Sequence, residues 1–195
     1  MSDTEEIAAA AARLIVDEGM DWGPAKQRAA RDLGLPRSVG LPGNDEVEAA
    51  VREHIAIFHA DTQPAELRAL REVAAQWMGR LAEYRPHLTG AVWRGTATKL
   101  SNIHLQLYCD DSKQAEIGLL NRGLDFDVAE TTGPRNRAVD MLILDVPCPA
   151  LQERVTLCLT ILDYDDLRGG LKPDAQGRTE RGDLAALEKL LSEDA

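Results

Sequence analysis

The sequence predicts an α/β protein of the α+β kind, a helical N-terminal region followed by a mixed sheet with flanking helices. Three observations carry that expectation. Within residues 1–60, apolar positions recur at three- and four-residue steps between helix start and stop signals. Residues 102–108, 126–130, 139–146 and 155–162 read as strands, the later ones separated by Gly133-Pro134 and Pro147-Cys148-Pro149. With 195 residues and 44% hydrophobic content, the chain is long and apolar enough to bury one domain-sized core, with room for an appendage.

Taken in order, Ser2 with Glu5 three residues later makes a capping box for a first helix that runs to Glu18 and stops at Gly19. Pro24 suits the first turn of a second helix ending near Gly34, and Pro36, Pro42 and Gly43 form a linker. Asn44 is expected to cap a third helix with Val47, Val51, Ile55 and Phe58 on its apolar face. Pro64 opens a fourth, in which Leu67, Leu70, Ala74, Trp77, Leu81 and Tyr84 make one stripe that Pro86 ends. Asp110 and Asp111 read as caps for a helix over residues 112–122, closed by Gly123. Asp163, Asp165 and Asp166 mark a turn after the last strand. Residues 168–181, rich in glycine, proline and charge, are expected to be a mobile segment, and Asp183 caps a short helix over 184–191. The expected organisation is therefore a helical region over 1–62, an α/β domain over 63–167, and a mobile segment plus short helix over 168–195.

A net charge of −11 and a pI near 4.8 repel phosphate backbones and anionic membranes, and an aromatic share of 4% leaves little surface for stacking bases. Nucleic acid is accordingly not expected as a partner. The basic island of Lys26, Arg28, Arg31 and Arg37 reads as a solvated helix face. Three cysteines without Cys-x-x-Cys spacing suggest neither a disulfide framework nor a zinc site, and read as reduced cytoplasmic thiols. No run reaches the roughly 18 to 20 apolar residues that a bilayer span needs, and the first apolar run follows acids rather than a basic leader. A cytoplasmic protein without a membrane segment is the expectation.

The most informative stretch is Gly90-Ala-Val-Trp-Arg-Gly-Thr-Ala-Thr-Lys-Leu-Ser-Asn-Ile-His-Leu105. If 102–108 is a strand, Asn102, His104, Gln106 and Tyr108 share one face, and Ile103, Leu105 and Leu107 the other. With Gly90, the Arg94-Gly95-Thr96-Ala97 run, Ser101, Ile103 and Leu105 at these spacings, residues 64–165 resemble the polymerase-beta-like nucleotidyltransferase superfamily. The resemblance implies a nucleotidyltransferase-like mixed sheet, in which a Gly-Ser pair closes a strand and a Ser-Asp-Ile-Asp-Leu strand follows. Here Ala91 stands for the serine, Asn102 for the first aspartate and His104 for the second. In the family, those acids and a third on a later strand hold magnesium against the triphosphate. Magnesium wants hard anionic oxygen, whereas Asn102 offers a neutral carbonyl and His104 an imidazole suited to zinc, copper or nickel. The later strand carries Thr156, Cys158 and Thr160 on its plausible cleft face, and Asp140 is the one in-strand acid that stands as a third ligand.

What the resemblance then implies is a catalytically inactive or weakened nucleotidyltransferase-like protein without catalytic or metal-ligating residues and without a cofactor, one that binds a nucleotide or a protein partner. Gly90 would give close backbone approach, Arg94 or Lys99 would meet phosphates, and Ser101, Asn102, His104 and Gln106 would line the former metal cleft. Two alternatives stay open: an active, magnesium-dependent or atypical-metal transferase using Asp140 and His104, and an interaction module working through residues 1–60. His54 and His59, five apart on a helix, do not share the face that a zinc pair needs, and read as core-edge or surface residues.

No P-loop, Gly-x-Gly-x-x-Gly turn or Gly-x-Ser-x-Gly elbow occurs. The chain also resembles a bacterial group of about this length that carries the label UDP-N-acetylmuramate–alanine ligase. It shares an Ala-Lys-x-x-Ala-Ala-Arg run at Ala25, Lys26, Ala29, Ala30 and Arg31, and Leu120-Asn121-Arg122. That activity needs a much longer ATP-dependent chain with a P-loop, and neither is here.

Overall fold

The computed structural model describes residues 1–168 and 177–194. It divides into two units, one of Met1–Leu67 with Thr96–Ser101, the other of Arg68–Gly95 with Asn102–Ala195. This division falls at 67/68, inside a helix, where the sequence reading put a boundary at 62/63. The first turn of that helix belongs with the 96–101 loop for a local reason: Gln63 donates to the Ala97 carbonyl at 2.8 Å, and the Glu66 carboxylate accepts the Lys99 N–H at 3.0 Å.

In the first unit, α1 (Asp3–Glu18) opens with the expected capping box: the Ser2 hydroxyl accepts from the Glu5 N–H and the Glu5 carboxylate accepts from the Ser2 N–H. It closes at Gly19 in the left-handed region. α2 (Trp22–Asp32) carries Pro24 in its first turn, where no amide hydrogen is needed. α3 (Asn44–Phe58) is capped by Gly43 rather than Asn44. Asn44 is occupied elsewhere, since its side-chain oxygen accepts from Lys26 Nζ at 3.0 Å. Two alanine-rich clusters join these helices: Ala8, Ala12 and Val16 meet Val47, Val51 and Ile55, while Ile7 and Ala11 meet Ala25, Ala29 and Ala30. Each buried valine or isoleucine contributes roughly 1.5–3 kcal/mol, and the alanines let the helices approach closely. Phe58, expected on that apolar face, is 67% exposed because the cluster ends at Ile55 and the helix stops at Phe58.

The second unit holds α4 (Gln63–Arg80) from Arg68 onward, with Leu70, Ala74 and Trp77 buried and Leu81 and Tyr84 continuing the stripe into a 3-10 turn before Pro86. The Arg71 guanidinium is buried and donates to the Val92 and Trp93 carbonyls, both at 2.9 Å. Those carbonyls belong to α5 (Gly90–Arg94), which directly follows β1 (His87–Thr89). Next come β2 (Ile103–Cys109), α6 (Ser112–Asn121), β3 (Asp127–Thr132), β4 (Ala138–Cys148) and β5 (Glu153–Asp163). Asp111 caps α6 as expected, and a 3-10 turn over Tyr164–Leu167 follows β5.

Most of the segment expected to be mobile, residues 169–176, lies outside the described residues, but its end is a strand, β6 (Arg181–Gly182). Two residues without apolar alternation give no strand signal; what makes them one is antiparallel pairing of Leu88 with Gly182 and Thr89 with Arg181. α7 (Leu184–Glu193) follows, capped by Asp183 as expected.

The six strands lie in the order β3-β4-β5-β2-β1-β6, with β2 and β5 parallel and the other pairs antiparallel. Alternation gives this sheet two unlike faces. Leu88, Ile103, Leu105, Leu107, Leu142, Leu157 and Leu159 are fully buried on one, the face that α6 covers by packing on β2 and β5. The opposite face carries Thr89, His104, Gln106, Met141, Ile143 and Thr160, all half-buried. Among the described residues no helix is long and apolar enough to cross a membrane, and Cys109, Cys148 and Cys158 are buried and form no disulfide.

Candidate functional site

The polar sheet face is organised by Gly90. Its φ of 75° is a conformation that side chains rarely adopt, and it turns the chain from β1 directly into α5. A Cβ at this position would stand 3.7 Å from the His104 imidazole, so backbone and ring approach closely there. The register then aligns Thr89 of β1, His104 of β2 and Cys158 of β5 in one row, and His87, Gln106 and Thr160 in the next. Of the residues expected at the site, the structure brings Gly90, His104 and Gln106 together on this face. Asn102 was expected on the strand beside His104. It is exposed and precedes β2, because the ladder to β5 begins one residue later, at Ile103 opposite Leu157. Arg94 ends α5 in the same unit. Lys99 and Ser101 fall in the first unit, where Ser101 Oγ accepts the Thr98 N–H at 3.0 Å and so closes a local turn.

Arg181 was missed. It lies on β6 opposite Thr89, and its guanidinium donates to the Tyr108 hydroxyl oxygen, to Gln106 Oε1 at 3.3 Å and to the Leu167 carbonyl at 3.2 Å. It also stands 5.2 Å from the Tyr108 ring centroid. Burial holds the Tyr108 phenol above its ordinary pKa against the pull of Arg181, so its O–H stays on to donate to Gln106 Oε1 at 2.9 Å. Arg181 Nε is buried and has no acceptor among the described residues. The only sequence signal for this residue would have been an arginine just before a helix cap, which is common.

The three strands nearest Gly90 carry no acid on this face, although Asp166 and Asp183 lie near enough to act on Tyr108 and His87. Across β1, β2 and β5 it presents His87, Thr89, His104, Gln106, Tyr108, Thr156, Cys158 and Thr160, with no carboxylate. Asp140, the candidate third acid of the active alternative, sits on β4 rather than beside β2. It pairs with Glu130 on the opposite face, within 3.9 Å of Lys113 Nζ. Strand order decides this, and order is set by long-range pairing that one sequence does not display. Asp145 does lie on the polar face, but two strands from β2 and held by Arg154 at 2.7 Å. Asp166 is nearly buried under Arg135 at 2.7 Å, and Asp163 meets Arg137 at 2.9 Å.

In the first unit, Arg28 of the basic island pairs with Glu18 at 2.8 Å and Asp32 at 3.5 Å, and Lys26 is hydrogen-bonded to Asn44 and the Pro42 carbonyl. A second cluster gathers the two histidines that helical spacing was expected to hold apart, both of them half-buried as core-edge residues. His54 Nε2 lies 3.1 Å from both oxygens of Asp17, and His59 Nε2 lies 2.9 Å from Asp17 Oδ1. The two rings converge because α3 ends at Phe58 and His59, with φ −130°, leaves the helical path on which a five-residue spacing would separate them. Burial pushes the Asp17 carboxyl up, and the hydrogen bonds from His59 and His54 outweigh it, leaving the group below its ordinary value. Ile57 and Phe58 beside this cluster are 63% and 67% exposed.

The chain matches no protein-family model and no curated protein sequence.

Proposed function

We propose that the second unit is a nucleotidyltransferase-like domain that binds the phosphate chain of a nucleotide without carrying out magnesium-dependent transfer. One observation carries the reading: the three strands at the Gly90 turn present imidazole, amide, hydroxyl and thiol groups but no carboxylate. Such a donor set does not fit magnesium, which is held through carboxylate oxygens and substrate phosphates. The same set, with Arg181 at its edge, suits an anion, because a guanidinium offers a planar fork of donors to phosphate oxygens. The strand, positive-φ glycine, short helix and strand sequence, with a parallel third strand beside β2, supports kinship with the superfamily in arrangement as well as in motif.

Titration of the full chain with each of the four nucleoside triphosphates in magnesium-free buffer tests the binding role. Single-site binding is expected, and Arg181→Gln should weaken it about tenfold or more, the weight of a charge-assisted hydrogen bond. No heat at millimolar ligand would remove the nucleotide from the account.

A further inference from the structure

We infer that Asp17, His54 and His59 form a binding site for one divalent transition-metal ion of the zinc class, built into the C-terminal ends of α1 and α3. Two imidazole nitrogens and one carboxylate oxygen are the donors that such ions select, while magnesium and calcium prefer all-oxygen sets. All three ligand atoms lie within 4.8 Å of one another. The Asp17 contacts of 2.9 and 3.1 Å are close to the ~3.3 Å edge of a tetrahedron with ligand bonds of about 2.0 Å, so an ion needs only small side-chain adjustments to enter.

The position is also electrostatically suited to a cation. Asp17 occupies the last turn of α1, a place where negative charge is disfavoured, and neither α1 nor α3 has a lysine or arginine in its last turn. Contact between Asp17 and both histidines brings these two C-terminal ends together, and the partial negative charge of each favours a bound positive ion. The His54 ring is supported by Phe58 at a centroid separation of 4.7 Å, and its side chain is only 10% exposed, so one ligand is held in place before metal arrives. Three protein ligands leave a fourth position. A cleft of about 330 Å³ lined by Asp17, His59, Thr62, Glu66, Thr98 and Lys99 opens beside two of the ligands and gives that position access to water.

The test is titration of the metal-stripped full chain with Zn(II) and Co(II), followed by calorimetry and, for cobalt, by visible absorption. The expected result is one ion per chain, a tetrahedral cobalt spectrum, and no binding of magnesium or calcium. His59→Gln, Asp17→Asn and His54→Gln should each lower affinity by at least about tenfold. A variant with all three cysteines replaced by alanine should retain the site. Circular dichroism reports whether each variant folds, and His59→Gln, at the more exposed ring, decides the matter if the other two do not. Absence of zinc and cobalt binding, or binding unaltered in folded His59→Gln, would overturn the site and leave an imidazole–carboxylate contact only.

Discussion

Burial sets the charge of His87. The ring lies on β1, donates Nδ1–H to the Arg85 carbonyl at 2.9 Å and packs edge-on against Tyr108. Burial lowers its pKa, and Arg181 adds to that effect against the opposing pull of the Arg85 carbonyl and Asp183. A histidine depressed in the fold is neutral there and takes up a proton more readily when unfolded. Its contribution to stability is therefore complete above the ordinary histidine value of 6.5 and is lost as pH falls through the lowered one. The urea midpoint of the second unit is expected to drop between pH 7.5 and pH 5, and His87→Gln should flatten that dependence. Equal slopes in the parent and the variant would show that the ring is not held neutral.

Among the elements, β6 is the one that depends most on its surroundings. Two residues of strand do not persist unaided, and β6 is fixed by three contacts: its ladder to β1, the Trp93 indole donating to the Thr179 carbonyl at 2.8 Å, and the Trp93 ring lying over Gly182. A Cβ at Gly182 would fall 2.2 Å from Trp93 Cη2, so any side chain there must push the ring away. Gly182→Val is expected to destabilise the second unit by about 1–3 kcal/mol, the range for overpacking. It should also shift tryptophan emission to longer wavelength and weaken anion binding, because Arg181 is carried by the same strand. An unchanged urea midpoint and spectrum would mean that β6 is not a structural part of the site.

For the whole molecule, what could be read in advance follows the range of the forces involved. Caps at Ser2, Asp111 and Asp183 are local hydrogen bonds, and alternation in β2 and β5 reflects a face buried by any plausible packing; these were legible. Strand order was not, because it arises from pairing between distant segments, and Asp140, weighed as a third ligand in the active alternative, lies on the other face. Arg181 was lost in a glycine- and charge-rich stretch whose strand exists only through β1. The His54 and His59 pairing with Asp17 was hidden by the assumption that a helical spacing continues past Phe58, where the helix in fact ends. In this strongly acidic chain the face beside Gly90 carries no carboxylate across β1, β2 and β5. That distribution is the central claim, and the direct measurement is incorporation of labelled nucleotide from each triphosphate in the presence of magnesium or manganese. The account predicts no incorporation above the protein-free blank; magnesium-dependent incorporation that disappears in His104→Ala would contradict it.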